Sequence, residues 1–210
     1  EESRSEFKSA IRSAEHIEDQ DLKNYNLSLC FDNINVINNF KAFDKKAYRD
    51  STIININKSI YYIKKISDKS KTISRDYKYD QIGFNKMRLG IFYLEQIDTE
   101  GSLESAEKYL HQALYIYENS AYKIPIRNKT MLYNQMSWLY VEKKEYNKAI
   151  DFANRAMALE KKYRNPYNRV ESFEFLATCY TETGDKEKAK LYLRMYSNLK
   201  DSLSFVEKNI

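Results

Sequence analysis

The fold is decided by a five-residue stretch, MSWLY at residues 136–140, which recurs as LATCY at residues 176–180. The two stretches lie forty residues apart, and Ala149 and Ala189 keep the same separation. A third copy reads LGIFY at residues 89–93, but Ala106 follows its tyrosine by thirteen residues instead of nine. A regular period of this length indicates repeated supersecondary units. We therefore expect three related units, the first with a turn four residues longer.

Each copy combines small and aromatic residues in a way that suits two antiparallel helices. A small residue allows the helices to approach closely, and the tyrosine three positions later fills the wider gap one turn away. The small residues are Gly90, Ser137 and Ala177. Gly184 can close a hairpin in a left-handed conformation, and Asn165-Pro166 is typical of an N-cap followed by proline at the first helical position. We expect the same proline position at Pro125.

These residues resemble the tetratricopeptide repeat (TPR), a family of helix pairs that stack into a right-handed superhelix and bind peptides or protein segments in a concave groove. Counted from Thr130, the matching positions are Met136, Ser137, Tyr140, Tyr146, Ala149 and Ala156. Counted from Val170, they are Leu176, Ala177, Tyr180, Gly184, Ala189 and Leu193. The sequence departs from the family at Lys144, Tyr196 and Lys161, where a turn glycine, a later alanine and a final proline are usual. The resemblance implies an all-α, TPR-like right-handed helical-hairpin solenoid of eight or nine helices.

We interpret residues 1–210 as one TPR-like array. Residues 1–82 are divergent N-terminal helices, residues 83–129, 130–169 and 170–203 are repeat-like pairs, and residues 204–210 are a helical extension. Apolar spacing predicts one helix around residues 7–17, another from Leu22 to Phe40, and a third of about twenty residues around the Thr52–Ile66 stripe. The segment 49–52 ahead of that stripe resembles a helix start in the sensory TPR regions of bacterial membrane-linked regulators.

Composition excludes several other classes of protein. The chain contains four Gly and two Pro in 210 residues, far fewer than turn-rich sandwiches, barrels or Gly-rich nucleotide-binding sheets need. With a mean hydropathy of −0.74 and no apolar stretch near the length of a bilayer span, no segment is expected to insert into a membrane.

Residues typical of catalysis or metal binding are sparse. The two histidines, His16 and His111, have no second histidine or cysteine at ligand spacing, which favours ordinary surface or groove positions. Cys30 and Cys179 lie in apolar contexts and are expected to be free thiols rather than a disulfide. No phosphate-binding loop or nucleophile motif is present. We expect no enzyme activity, no cofactor and no metal.

The repeat register predicts which residues line the groove, if the first helix of each pair faces inward as in the family. These residues are Phe84, Met87, Ile91, Met131, Asn134, Trp138, Glu171, Glu174 and Thr178. The predicted groove runs from apolar to acidic, with Trp138 as an interface or a core residue. The predicted function is a protein- or peptide-binding module, the sensory or scaffolding part of a larger bacterial regulator. On resemblance alone, a periplasmic sensory domain is favoured over a cytoplasmic one.

Two further surfaces carry alternative interpretations. The basic stretch 58–78, with Tyr61, Tyr62, Tyr77 and Tyr79, could make the chain a helical-repeat nucleic-acid-binding protein, although a solvated helix edge is the favoured interpretation. A seam at heptad-like spacing runs near the C-terminus through Tyr192, Tyr196, Leu199, Leu203, Val206 and Ile210. This seam either caps the last pair or continues into a dimeric coiled coil or an output domain.

Overall fold

The chain is built from α-helices joined by turns. The computed structural model describes residues 2–41 and 46–208, and this part of the chain contains nine helices and no strand. Their bounds are α1 Glu2–Glu15, α2 Gln20–Lys41, α3 Lys46–Lys65, α4 Arg75–Leu94, α5 Ser102–Glu118, α6 Ile126–Glu142, α7 Tyr146–Tyr163, α8 Pro166–Glu182 and α9 Lys186–Lys208. The prediction of an all-α, TPR-like helical-repeat fold with eight or nine helices is confirmed.

The turns explain the spacing of the three sequence copies. Three residues connect α6 to α7 and also α8 to α9, whereas seven residues, 95–101, connect α4 to α5. The prediction that this first turn is four residues longer is therefore confirmed. Gly101 and Gly184 adopt left-handed backbone conformations, with φ of 76° and 81°. Lys144 takes a similar conformation, φ 58°, at the position where the family has glycine.

Helix starts agree with the sequence signals in part. The Asn165 side chain caps α8 by accepting from the backbone N–H of Tyr167 at 2.9 Å, and Pro166 is the first helical residue, as predicted. The prediction for Pro125 is wrong, because this proline is the N-cap of α6 and the helix begins at Ile126. The segment 49–52 lies inside α3 rather than ahead of it, because α3 already begins at Lys46.

The chain divides into two structural units. Unit 1 comprises the chain up to Leu89 together with Tyr115–Ile124, and unit 2 comprises Gly90–Leu114 together with the chain from Pro125 onward. The boundary falls inside α4 and α5, so each unit contains part of both helices. The predicted limits of the individual repeats stay a prediction.

Unit 1 has an apolar cluster and a buried polar network. Ile63, Ile66 and Ile82 form the centre of the cluster. Gly83 allows the buried ring of Tyr117 to pack against α4, because a Cβ there would lie 2.7 Å from the Tyr117 Cδ1.

The polar network of unit 1 joins α2, α3 and α4. The Asn85 amide donates to Ser59 Oγ at 3.0 Å, and Arg88 donates to Asp32 Oδ1 at 3.1 Å. Ser28 Oγ is 2.8 Å from Ser59 Oγ, which extends the network to a second residue of α2. Burial raises the pKa of the Asp32 carboxyl, although Arg88 and the hydrogen bonds act in the opposite direction.

Unit 2 has an equivalent aromatic contact in each of its three helix pairs. The tyrosine of the repeated stretch stacks on a ring of the following helix, and the centroid separations are 5.6–5.8 Å with interplanar angles of 5–12°. The pairs are Tyr93–Tyr109, Tyr140–Phe152 and Tyr180–Tyr192. Recurrence of one ring geometry at a shared position gives each hairpin the same internal register.

Small residues bring the paired helices of unit 2 together. Ala149, Ala153 and Ala156 are fully buried on α7, which packs against α6 and α8. The Ser137 hydroxyl of α6 donates to the backbone carbonyl of Ala149 at 2.9 Å, which is a contact that a larger side chain would prevent. At Gly90, a Cβ would lie 2.6 Å from Leu110 Cδ2. Close helix approach therefore explains why small residues recur in the sequence copies.

Candidate functional site

The helices α6 and α8, the first helices of two successive pairs, pack directly against each other in unit 2. Asn134, which is fully buried, joins them. Its amide nitrogen donates to the backbone carbonyl of Asn168 at 2.7 Å and to Glu171 Oε2 at 3.1 Å. Its amide oxygen accepts from the Ser172 hydroxyl at 2.7 Å. Asn134 thus fixes the position of α8 relative to α6.

We name the surface that α6 and α8 present beside this contact the first-helix face. Its members recur three, four or seven residues apart on each helix, so they share one side of it. They are Met131, Trp138 and Glu142 on α6, and Glu171, Glu174, Thr178 and Glu182 on α8. Met131, Trp138, Glu142 and Glu171 are half-buried, whereas Glu174, Thr178 and Glu182 are exposed.

Trp138 has a fixed orientation on this face. Its indole N–H donates to Glu142 Oε1 at 2.9 Å, one helical turn further along α6. The residue is half-buried, so part of its surface remains accessible. An indole held by its polar edge with an accessible ring is suited to contact an incoming side chain.

The acidic residues of α8 differ in their environments. Burial raises the pKa of the Glu171 carboxyl, the Asn134 hydrogen bond lowers it, and the nearby charge of Glu174 raises it further. Thr178 bonds to its own helix, donating to the backbone carbonyl of Glu174 at 3.0 Å. The face therefore carries negative charge that is partly desolvated at Glu171.

The nine predicted groove residues are not equivalent in the structure. Met87 and Asn134 are fully buried, which is at odds with direct contact to a ligand, because helix packing covers their side chains. Phe84 is half-buried, and it and Met87 belong to unit 1. Ile91 is half-buried and belongs to unit 2, with the six residues of α6 and α8. The binding role of the nine residues stays a prediction.

Sequence reasoning missed Glu142, which holds the tryptophan. The signal was available, because Glu142 follows Trp138 by four residues on a predicted helix, the spacing at which side chains meet.

Comparison with known families agrees with this geometry. Residues 132–163, which cover most of α6 and all of α7, match the tetratricopeptide repeat model. We call this matched hairpin, formed by α6 and α7, the TPR hairpin. The match includes Trp138 and Glu142, so the tryptophan and the carboxylate that holds it both lie in the matched hairpin.

A solved structure has a similar fold over nearly the whole chain. The crystal structure of BtubC (BKLC) from P. vanneervenii superposes with a TM-score of 0.61 at 17% identity. The alignment covers 97% of this chain and 74% of BtubC. At this identity the likeness concerns the fold alone. No curated protein matches the sequence significantly.

The basic stretch 58–78, outside the TPR hairpin, is partly engaged within unit 1. Lys78 is buried and donates to Ile66 O and Asp68 Oδ1, each at 2.6 Å, and Arg75 pairs with Asp68 at 3.5 Å. Lys65 lies 4.2 Å from the Tyr61 ring centroid. Lys64, Lys69 and Lys71 are exposed.

The aromatic residues of the same stretch also have partners in unit 1. The rings of Tyr77 and Tyr62 contact Tyr25 and Phe31, and Tyr79 stacks on Tyr122 at 3.9 Å. These contacts leave a smaller cationic and aromatic surface than the sequence suggested. Nucleic-acid binding stays an alternative prediction.

The C-terminal helix α9 is apolar on more than one side. The start of the predicted seam packs within the last pair, because Tyr192 stacks on Tyr180 and its ring lies 6.1 Å from that of Phe173. Further along, Leu199 and Leu203 are half-buried, and Val206 is 51% exposed. Ile210, the last residue of the predicted seam, lies outside the described residues.

The cysteines and histidines, residue types common in catalytic and metal sites, do not form a shared site in the described part of the chain. Cys30 and Cys179 are both free thiols, and burial raises the pKa of Cys179 to about 11. His16 is exposed, and His111 Nε2 lies 3.2 Å from the Tyr140 hydroxyl beside the TPR hairpin.

Over residues 2–41 and 46–208, no group of three or more His, Cys, Asp or Glu side chains could hold a metal ion. Over the same ranges, no helix combines the length and apolar character that a membrane span requires.

Proposed function

We propose that the chain is a non-catalytic protein-binding module whose first-helix face binds a segment of a partner protein. One observation carries the proposal: the TPR hairpin presents the half-buried Trp138, held by Glu142, beside the packed helix α8. Helical-repeat proteins bind partners through surfaces that successive units assemble. An oriented tryptophan at such a surface is the residue type on which binding energy concentrates.

We further propose that this module is the sensory or scaffolding part of a larger bacterial regulator. The support is the resemblance of its repeats to the TPR regions of such proteins. In that role the face would bind a signalling segment rather than process a substrate.

Selection of peptides from a random displayed library on the full chain tests the binding proposal. The selected peptides should bind Trp138→Ala at least tenfold more weakly than the unaltered chain, because a central aromatic contact contributes about 2 kcal/mol or more. Tyr115→Ala is the matched control, since Tyr115 is 77% exposed and lies on α5. Unchanged affinity for Trp138→Ala, with unchanged helical content, would show that binding occurs elsewhere.

We also propose that α9 mediates self-association. Its exposed apolar side chains support this proposal; they are Leu191, Leu193, Phe205 and Val206, each more than half exposed. Analytical ultracentrifugation of the full chain should detect a dimer that Leu193→Lys with Val206→Lys converts to a monomer. A chain that sediments as a monomer at every concentration would exclude the dimer.

A further inference from the structure

A glutamate follows the stacked tyrosine by two residues in all three sequence copies of unit 2. The sequences are Tyr93-Leu94-Glu95, Tyr140-Val141-Glu142 and Tyr180-Thr181-Glu182. Because the three tyrosines make the same ring contact, these glutamates occupy the same place at the end of each first helix. With Glu171 and Glu174, which lie in the first half and at the middle of α8, they place five carboxylates on or directly after the first helices α4, α6 and α8. We name these five residues the glutamate set.

The glutamate set differs from the ion-paired acidic residues of unit 2. Several acidic groups on second helices and turns form ion pairs, as Glu107 does with Lys143, Glu160 with Arg169, and Asp185 with Lys188. Others over the described residues, such as the exposed Glu104 and Glu187, stand alone on their helices. Within the part of the chain that the structure describes, no member of the glutamate set forms an ion pair.

Three members of the set bond to neutral donors. Trp138 donates to Glu142, Asn134 to Glu171, and the Tyr146 hydroxyl to Glu182. These bonds orient the carboxylates but leave their charge uncompensated.

One nearby cation compensates part of this charge. The hydrogen bond to Tyr196 is the main cause that raises the pKa of Lys200 on α9, and the charge of Glu174 adds to it, although Lys200 and Glu174 form no ion pair. Arg127 lies in the first turn of α6, at the opposite end of that helix from Glu142. A chain with a net charge of +5 thus concentrates unpaired negative charge where Trp138 is accessible.

We propose that the first-helix face binds a basic polypeptide segment, with an arginine or lysine of the partner placed against the Trp138 ring. This inference rests on the proposed binding function and adds the chemistry of the partner. Unpaired carboxylates attract cationic side chains and disfavour acidic ones, which sets specificity and association rate. A tryptophan face is the best aromatic partner for a guanidinium or ammonium group, particularly where solvent is partly excluded.

Trp138 is the only tryptophan of the chain, so its fluorescence reports directly on this face. Three synthetic peptides of equal length, one rich in Arg and Lys, one rich in Asp and Glu, and one uncharged, are titrated into the full chain. We expect the basic peptide alone to change the emission, with an affinity that falls as salt is raised. Glu142→Gln combined with Glu174→Gln should weaken this binding on the order of tenfold. These substitutions keep size and polarity while removing charge.

The control variant separates a local site from general attraction. Glu104→Gln combined with Glu187→Gln removes two exposed charges from α5 and α9, which are second helices, and should leave the affinity unchanged. An equal loss in this control would overturn the proposal, because attraction would then be diffuse.

The remaining outcomes are also decisive. Equal binding of the uncharged or acidic peptide would overturn the basic partner while leaving the proposed binding face in place. If none of the three peptides changes the emission, the basic partner is excluded, and the library selection with Trp138→Ala decides the binding face separately.

Discussion

Replacing Asn134 with alanine should destabilise the chain by about 3 kcal/mol. The amide makes three hydrogen bonds, to Asn168, Glu171 and Ser172, at 2.7, 3.1 and 2.7 Å; those to Asn168 and Ser172 are buried and that to Glu171 is partly buried. An intramolecular hydrogen bond contributes about 1 kcal/mol net, so the three correspond to about 3 kcal/mol. Ser172 Oγ also lies 3.0 Å from the Asn168 carbonyl oxygen, so in the variant its single hydroxyl proton can be donated there, which keeps both groups paired and limits further loss.

Urea unfolding measures this effect, followed in parallel by far-UV circular dichroism and by Trp138 emission. With a slope near 3 kcal/mol/M, the midpoint should fall by about 1 M. Asn154→Ala is the matched control, because Asn154 is exposed on α7, and its stability should stay within about 0.5 kcal/mol of the unaltered chain.

A second substitution separates lost hydrogen bonds from lost volume. Asn134→Asp keeps the size and the acceptor for Ser172, but a carboxylate cannot donate to Asn168 and repels Glu171. Its loss of stability should therefore be larger at neutral pH than in acid, where the carboxyl is protonated and donates again. If both variants have the same urea midpoint as the Asn154→Ala control, the junction of α6 and α8 does not depend on this amide.

Three further substitutions test other contacts. Gly90→Ala should lower stability by about 1–2 kcal/mol and reduce the thermal midpoint, because the new Cβ would lie 2.6 Å from the fully buried Leu110; an unchanged midpoint would contradict this packing. Arg169→Met should cost about 3 kcal/mol in urea unfolding, because Glu160 is 2% exposed and would keep a buried charge without its cation. Burial raises the pKa of Asp32, so the folded state holds the carboxyl proton more tightly than the unfolded state does. The resulting stabilisation is present below the ordinary carboxyl range and is lost as pH rises through the raised pKa. Asp32→Asn should therefore reduce the fall in the free energy of unfolding between acid and neutral pH.

The repeated part of the fold was predictable because local chemistry recurs there. Tyr140 and Ala149 mark the two helices of a hairpin, and their nine-residue separation fits a three-residue turn. The wider separation of Tyr93 and Ala106 predicted the longer turn between α4 and α5. The second ring of each stacked pair, such as Phe152, was not predicted, because it lies outside the repeated stretches.

The candidate site was only partly predictable. Asn134 was expected to line the groove, because the repeat register places it on the inward side of the first helix of its pair. Its burial depends on Asn168 and Ser172, which lie 34 and 38 residues further along the chain, and no local sequence pattern predicts these contacts. The same limit applies to the N-terminal helices. The Asp50-Ser51 pair reads as a helix start, but the helix begins earlier, at Lys46.

The left-handed backbone at Lys144 has a consequence for the evolution of the array. Glycine adopts this conformation freely, as Gly184 does in the next hairpin, whereas a side chain makes it costly by about 1 kcal/mol. The TPR hairpin is thus closed by a turn with an unfavourable backbone conformation. Lys144→Gly would remove this cost, and the stability gained would offset a destabilising substitution elsewhere in the hairpin.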